Sequence, residues 1–361
     1  MNLRLRLTDR LIAQRVLSWI AVVWLLLVAL DCFISLADEL PDVGKGSYTA
    51  LTAALHVAWT IPRRAYEVFP VAAVIGALAG LGALAPTAEL TAMRAGGLSK
   101  SRIALAAVAA VGALLVLVLI GGETLAPWGE QRAQSLQAAA LSKNLVARGR
   151  TGVWARDGET LLNAKRGENL GDSVVLFDLR IYEFEPDGRL TRIAIAARAE
   201  YKRDGWVLHD VIRQSFGIDS VTTEKLTELV WPSQIDPRLL ALSLVEPRFL
   251  GLRDLSNGIA YYDRNALNAG EWRAAFWRRA FYPLSVLAVV LVAMPFAFGS
   301  LRSGGLGKRL FFGVLLATGW SVMQRGVTNV AAVYGLDFRL TQLLPALALI
   351  LIAAWYFRRH A

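Results

Sequence analysis

Six apolar runs, at about 16–36, 68–85, 103–120, 276–298, 310–330 and 341–356, decide most of what this chain can become. About 20 apolar residues in a helix cross the hydrocarbon core of a bilayer, where every backbone N–H and C=O must find its partner inside the protein. These runs predict transmembrane helices. The composition agrees: 55% of the 361 residues are hydrophobic and the mean hydropathy is +0.43, above what a soluble domain carries. Arg4, Arg6, Arg10 and Arg15 precede the first run, which is longer than a signal-peptide core and lacks a small-x-small cleavage site, so a retained first helix is expected. Asp31 stands before Cys32 where a lipoprotein box needs a small residue, and no lipidation is expected. That single cysteine excludes an internal disulfide, and the scattered His56, His209 and His360 offer no metal-ligand spacing.

Between the third and fourth runs the composition changes. Gly152–Ala155, Val174–Phe184, Leu190–Ala197 and Trp206–Phe216 alternate apolar and polar residues between Asp-Gly turns at 157–158, 187–188 and 204–205. Short strands at such intervals predict an antiparallel β-domain, a sandwich or jelly roll. The fold class expected is thus an α-helical membrane protein with six transmembrane helices plus an inserted all-β, jelly-roll-like domain. Its divisions are a first membrane half at 1–143, the β-domain at 144–265 and a second membrane half at 266–361.

The stretch Ala85–Arg102, APTAELTAMRAGGLSKSR, is a polar insert between two spans. Pro86 and Thr87 read as a helix start, with Thr87 as N-cap, and Gly96-Gly97 as the stop, giving a surface helix over about 86–97. It is too polar to enter lipid and too short to be a domain. A helix held at the membrane surface by two spans, presenting Glu89, Met93 and Arg94, suits a protein pushed or pulled by a cytosolic partner.

The net charge of +10 does not indicate nucleic acid. The stretch from Asn144 to Trp272 is close to neutral, so the basic surplus lies in and beside the membrane segments, where it reports orientation and lipid headgroups. The N-terminal arginines, Arg94 with Lys100 and Arg102, Arg302 with Lys308 and Arg309, and Arg358 with Arg359 all fall on one side of a six-span layout. Both ends are then cytosolic and the β-domain faces away from the cytosol. Arg273, Arg278 and Arg279 on the outer side of the fourth span are the objection. A helix at Tyr48–Thr60 is expected to lie along the outer surface, separate from the span at 68–85, whose Gly76 and Gly80 predict close helix packing. A polar helix over Leu125–Leu145 is expected to follow the third span.

Charges within spans are costly and point to a protein-facing or wet position. Asp31 and Arg325 are the two such residues; Asp31 is read equally well as lying close enough to the interface to stay hydrated. Arg63 and Arg64 either bind phosphate or mark the headgroup boundary. Catalytic patterns are missing. The loop Gly299–Arg309 imitates a phosphate-binding P-loop but has Arg302 at the first glycine position and Arg309 where magnesium needs Ser or Thr. There is no G-x-S-x-G and no H-E-x-x-H, and no cofactor is expected.

Several short matches, in order along the chain, make it similar to the permease subunits of the bacterial lipopolysaccharide exporter. They are Glu89-Leu90 with Met93, Gly97 and Ser99; Ala126-Pro127 with Gly129-Glu130-Gln131; Gly152-Val153-Trp154-Ala155; Pro283-Leu284-Ser285; Phe298-Gly299 with Leu301-Arg302; and Val333-Tyr334-Gly335. The resemblance covers nearly the whole length and is nearer to the G-type than to the F-type permeases. It implies a heterodimer with an F-type permease on a dimer of cytosolic ATP-binding subunits, and a periplasmic β-domain continuing into a single-span bridge protein. Lipopolysaccharide is the implied substrate and the inner membrane the implied location. In that family the helix after the second span docks on the ATPase, which places Glu89, Leu90, Met93, Arg94 and Gly97 at the coupling surface. Family members carry cations near the outer ends of spans one and three. Here those places hold Ser35, Pro41, Asp42, Gln134 and Gln137, leaving Asp31, Asp38, Lys45, Arg63, Arg64, Arg132 and Arg325 as the candidate headgroup contacts. The alternatives are the F-type paralogue and a membrane adaptor whose β-domain only binds other proteins; an adaptor has no need of a docked cytosolic helix.

Overall fold

A computed structural model describes the chain except residues 1–6, 85–86, 142–152, 158, 170–173, 186, 203–204, 218–219, 233–245, 266, 299–305 and 360–361. Pro86, Gly152, Arg302 and the turn glycine at 158, named above, therefore lie outside the described residues. Among the described residues the helices are α1 (Leu7–Glu39), α2 (Ala50–Ala83), α3 (Glu89–Ala95), α4 (Lys100–Leu141), α5 (Leu252–Arg264), α6 (Gly270–Ala280), α7 (Tyr282–Ala293), α8 (Leu306–Tyr334) and α9 (Phe338–Arg359). Among the described residues six strands stand between α4 and α5: β1 (Val153–Asp157), β2 (Thr160–Asn169), β3 (Val174–Phe184), β4 (Leu190–Lys202), β5 (Gly205–Phe216) and β6 (Val221–Trp231). Among the described residues five helices are long and apolar enough to cross a membrane, or six when the bent pair α6–α7 counts as one span.

The chain forms two compact units. One comprises Met1–Asp38, Val57–Gly129 and Arg273–Ala361; the other comprises Glu39–His56 and Glu130–Trp272. In the first, α2 is the central packing element. Phe69, Ala73, Val74, Ala77, Leu78 and Leu81 are fully buried with Ile12, Val16 and Ile20 of α1, Ile103, Ala107 and Val111 of α4, and Ala288 and Val290 of α7. The close approach predicted from Gly76 and Gly80 is present. A Cβ on Gly76 would overlap the backbone of Ile20, and one on Gly80 would lie 2.7 Å from Val16 Cα. Without water to drive apolar surfaces together, backbone contact of this kind is how helices gain packing energy in lipid.

Two expected breaks are absent. Tyr48–Thr60 is not a separate surface helix, because α2 runs unbroken through 34 residues despite Pro62 and Pro70. Likewise α4 continues for 42 residues through Gly121, Gly122 and Pro127, uniting the third span with the polar helix after it. The glycines there serve close approach instead of termination. A Cβ on Gly122 would run into the Tyr66 ring, and one on Gly129 into the carbonyl of Trp59. The reverse holds for the fourth span, expected as one run at 276–298. It breaks at Phe281 into α6 and α7, which meet at 51°. Pro283 explains the break: it has no N–H for the carbonyl of Arg279, and its ring crowds that carbonyl.

The second unit holds the sheet, in order β1-β2-β3-β4-β5-β6 with every neighbouring pair antiparallel. The sequence pattern missed β2 and β6. One face carries the core, with Leu162, Ala164, Leu176, Leu179, Ala199, Trp206 and Leu208 buried. Leu176 and Leu179 both point inward although three residues apart, because Asp178 has φ 51° and resets the alternation; Asp210 does the same in β5 with φ 54°. Aspartate is among the few side chains that tolerate this left-handed region.

Candidate functional site

The short helix α3 is built to be held from behind. Its C-terminus is a left-handed glycine stop: Gly97 has φ 87°, and Leu98 N–H donates to Met93 O at 3.1 Å. The N-terminus differs from expectation. Thr87 does not cap; its hydroxyl donates to Leu84 O at 3.2 Å, and Ala88 is the cap residue with φ 57° and no side-chain bond. One face is anchored. Leu90 and Met93 are each 8% exposed and pack into the core of the membrane unit, so Met93, expected on the presented surface, is instead a root of the helix. Arg94 and Gly97 are exposed. Glu89 is half-buried, and its Oε2 is buried with no hydrogen-bond partner among the described residues, a state costing about 1–3 kcal/mol that a donor from outside the chain would relieve.

Behind α3 the chain is tied to α1 by a contact the sequence does not disclose. Arg102, in the first turn of α4 beyond the Ser99 cap, donates from Nη2 to Asp9 Oδ2 at 2.6 Å, with Asp9 only 9% exposed. An open concavity of about 440 Å³ lies between Leu7 and Thr8 of α1 and the Gly96–Ser99 turn, with Arg102 in its wall. The turn that ends α3 thus borders a recess against the start of α1.

The remaining predicted residues fall into separate groups. Arg64 of α2 donates from Nη1 to Asp31 Oδ2 of α1 at 2.7 Å and to Ser35 Oγ, and from Nε to Thr60 Oγ1 at 2.8 Å. Asp31 and Arg64 are thereby each other's counter-ions, with Arg64's side chain 12% exposed and Asp31's 38%. Arg63 instead pairs with Glu67 one helical turn on, at 3.0 Å. Asp38 is exposed at the end of α1. In the other unit, Lys45 pairs with Asp42 at 2.6 Å and Arg132 is exposed on α4. Arg325 projects from an exposed face of α8, its Nε 3.4 Å from Ser321 O. Asp31 and Arg64 are brought together; the others are not gathered around them.

A further cluster escaped the sequence. Arg279 of α6, its side chain 9% exposed, pairs with Glu123 of α4, donates to Gly122 O, and lies over the Tyr66 ring at 5.1 Å. Tyr66 stacks on Tyr282 with centroids 4.2 Å apart. Only the glycine pair at 121–122 and Pro70, four residues after Tyr66, hint at it. Near the other ends of α1 and α2, Glu39 accepts from Tyr48 Oη at 2.8 Å and Gln137 Nε2 at 3.2 Å; burial and that carboxylate push the Tyr48 phenol well above its usual range.

A multi-span membrane protein with a surface-mounted helix, paired charges inside its spans and an inserted β-unit has the build of a transport subunit. This chain belongs to the lipopolysaccharide export system permease LptF/LptG family, whose match covers residues 10–359. It is 30% identical over 356 residues to lipopolysaccharide export system permease protein LptG of Escherichia coli K12, covering 98% of each chain. To the protein of that name from Haemophilus influenzae Rd it is 31% identical over 353 residues, 97% of this chain and 98% of the relative. The likeness is to the G-type side of the family, and the chain is a multi-pass inner-membrane permease of that family.

Proposed function

We propose that the chain is the G-type transmembrane subunit of an ATP-driven exporter that lifts lipopolysaccharide out of the inner membrane. In this reading it pairs with an F-type permease, and a dimer of ATP-binding subunits in the cytosol grips α3. The β-domain, about 144–265, lies in the periplasm between membrane halves 1–143 and 266–361, passing substrate toward a single-span bridge protein. The observation that carries the reading is α3 itself. Leu90 and Met93 root it in the bundle, Arg94 is exposed, and Glu89 holds a buried carboxylate oxygen with no donor among the described residues. Charge-assisted bonds are the strong ones, so Glu89 is the natural anchor for a basic group of the motor.

Orientation follows from the basic segments, and the earlier objection weakens. Arg279 is committed to Glu123, and a paired, buried arginine has little influence on which side its loop takes. For substrate, Arg325 on the open face of α8 and Arg64 beside Asp31 are the candidate cations within the spans, with the half-buried Arg63 and the exposed Asp38 and Arg132, together with Lys45, the further candidates for the headgroup. An unpaired charge on a span surface requires a wet cavity or a second chain to cover it, as a heterodimer lined by α8 supplies. The test is purification of the tagged chain from native membranes. The expected complex contains a second six-span permease and an ATP-binding protein in two copies, and it hydrolyses ATP. A complex without a nucleotide-binding chain contradicts the proposal.

A further inference from the structure

In two places in the membrane unit a proline leaves a helix carbonyl without its backbone donor, inside the continuous α2 and at the bend between α6 and α7, and the two places are stitched to each other. In α2, Pro70 withholds the N–H that the carbonyl of Tyr66 would otherwise receive. That carbonyl accepts instead from the phenol of Tyr282, at 2.7 Å. Tyr282 opens α7 at the 51° bend, where Pro283 has deprived the carbonyl of Arg279 in the same way. From the last turn of α6 the Arg279 guanidinium reaches across to Glu123 and Gly122 O of α4 and covers the face of Tyr66. Gly122 is needed for this, since any Cβ there would occupy the space of the Tyr66 ring. The Tyr66 hydroxyl is buried and has no hydrogen-bond partner among the described residues, so a hydrogen bond remains to be gained in a second arrangement.

The position of this joint gives it a use. Helix α2 leads through residues 84–88 into α3, while α6 is the helix by which the chain leaves the strand-bearing unit for the membrane. A proline-broken helix bends at the break with little loss of backbone bonding, provided a side chain supplies the missing donor. We propose that Tyr66, Glu123, Arg279 and Tyr282 are positioning residues for transport, a two-state joint that carries displacement of α3 along α2 to the bend between α6 and α7. The proposal rests on the reading of α3 as the motor's docking helix.

The test uses the purified exporter in proteoliposomes containing lipopolysaccharide, with ATP hydrolysis and lipopolysaccharide delivery measured on the same sample. Tyr282→Phe removes one hydroxyl and keeps the ring stack; Glu123→Gln keeps the shape and removes the charge. Each is expected to leave ATP hydrolysis within about twofold while lipopolysaccharide delivered per ATP falls about fivefold. Pro70→Ala restores the N–H, so adding Tyr282→Phe to it should change thermal unfolding of the chain far less than Tyr282→Phe alone. A merely structural role would lower ATP hydrolysis and delivery in proportion, and that result, or full additivity of Tyr282→Phe with Pro70→Ala, overturns the proposal. A wild-type exporter that hydrolyses no ATP contradicts the role given to α3 instead. In that case the unfolding comparison still decides the joint, additive effects overturning it and non-additive ones supporting it.

Discussion

Replacing Glu89 with arginine is expected to abolish export while leaving the protein in the membrane. The carboxylate does not hold α3 in place: among the described residues Oε2 has no hydrogen-bond partner, and the anchoring of α3 is carried by Leu90 and Met93. A charge-assisted bond to a basic group of the motor is worth about 1.5–3 kcal/mol, and reversal adds like-charge repulsion of similar size. A total of about 3–6 kcal/mol weakens docking by roughly two to four powers of ten. Cells depending on this copy should fail to place lipopolysaccharide at the surface, and the ATP-binding subunit should no longer co-purify. Glu89→Gln keeps the shape and loses only the charge, so its effect should be about tenfold or less. Normal surface lipopolysaccharide with Glu89→Arg would contradict the assignment.

The second large effect concerns folding. Gly80→Leu places a Cβ 2.7 Å from Val16 Cα and 2.9 Å from Arg15 O, both backbone atoms that no rotamer change can move. Overpacking typically costs about 1–3 kcal/mol when side chains can give way, and here α1 and α2 must separate along their whole contact, so more than about 3 kcal/mol is expected. The variant should be largely lost from membranes through degradation. Gly121→Ala is the control, in an α4 position with nothing within 4 Å; it should be neutral or slightly stabilising, because alanine favours helix over glycine by about 1 kcal/mol. Equal membrane levels of Gly80→Leu and wild type would show that the α1–α2 contact is not what holds this unit together.

Much of the architecture is written in local patterns. Long apolar runs announce spans, Gly76 and Gly80 four apart announce a helix contact, and Gly97 announces a stop because few other residues adopt its φ of 87°. What escaped has physical causes. The strand β6, VTTEKLTELVW, is exposed along most of its length and so shows no alternation to detect. The strands β3 and β5 were legible, but not which of their residues face the core, because the left-handed Asp178 and Asp210 shift the inward positions by one in mid-strand. Glycine and proline within α2 and α4 read as punctuation, yet these helices continue because neighbours fill the gaps: the Tyr66 ring at Gly122, the Tyr282 phenol at the carbonyl freed by Pro70. Of the candidate site, α3 was readable as a polar island between spans, but not which face it presents; Met93 and Arg94 are adjacent in sequence and opposite in role. The pairs Asp31–Arg64 and Glu123–Arg279 join residues 33 and 156 apart, and no local pattern encodes such partners.

The central claim is that a cytosolic motor holds α3, and photo-crosslinking from its presented face tests it most directly. A photoreactive amino acid in place of Arg94, with one in place of the buried Leu90 as control, would be irradiated in intact cells and the adducts identified by mass spectrometry. The predicted result is a light-dependent adduct between position 94 and an ATP-binding protein, much weaker from position 90. Adducts at position 94 with lipid alone, or with proteins that bind no nucleotide, would contradict the account.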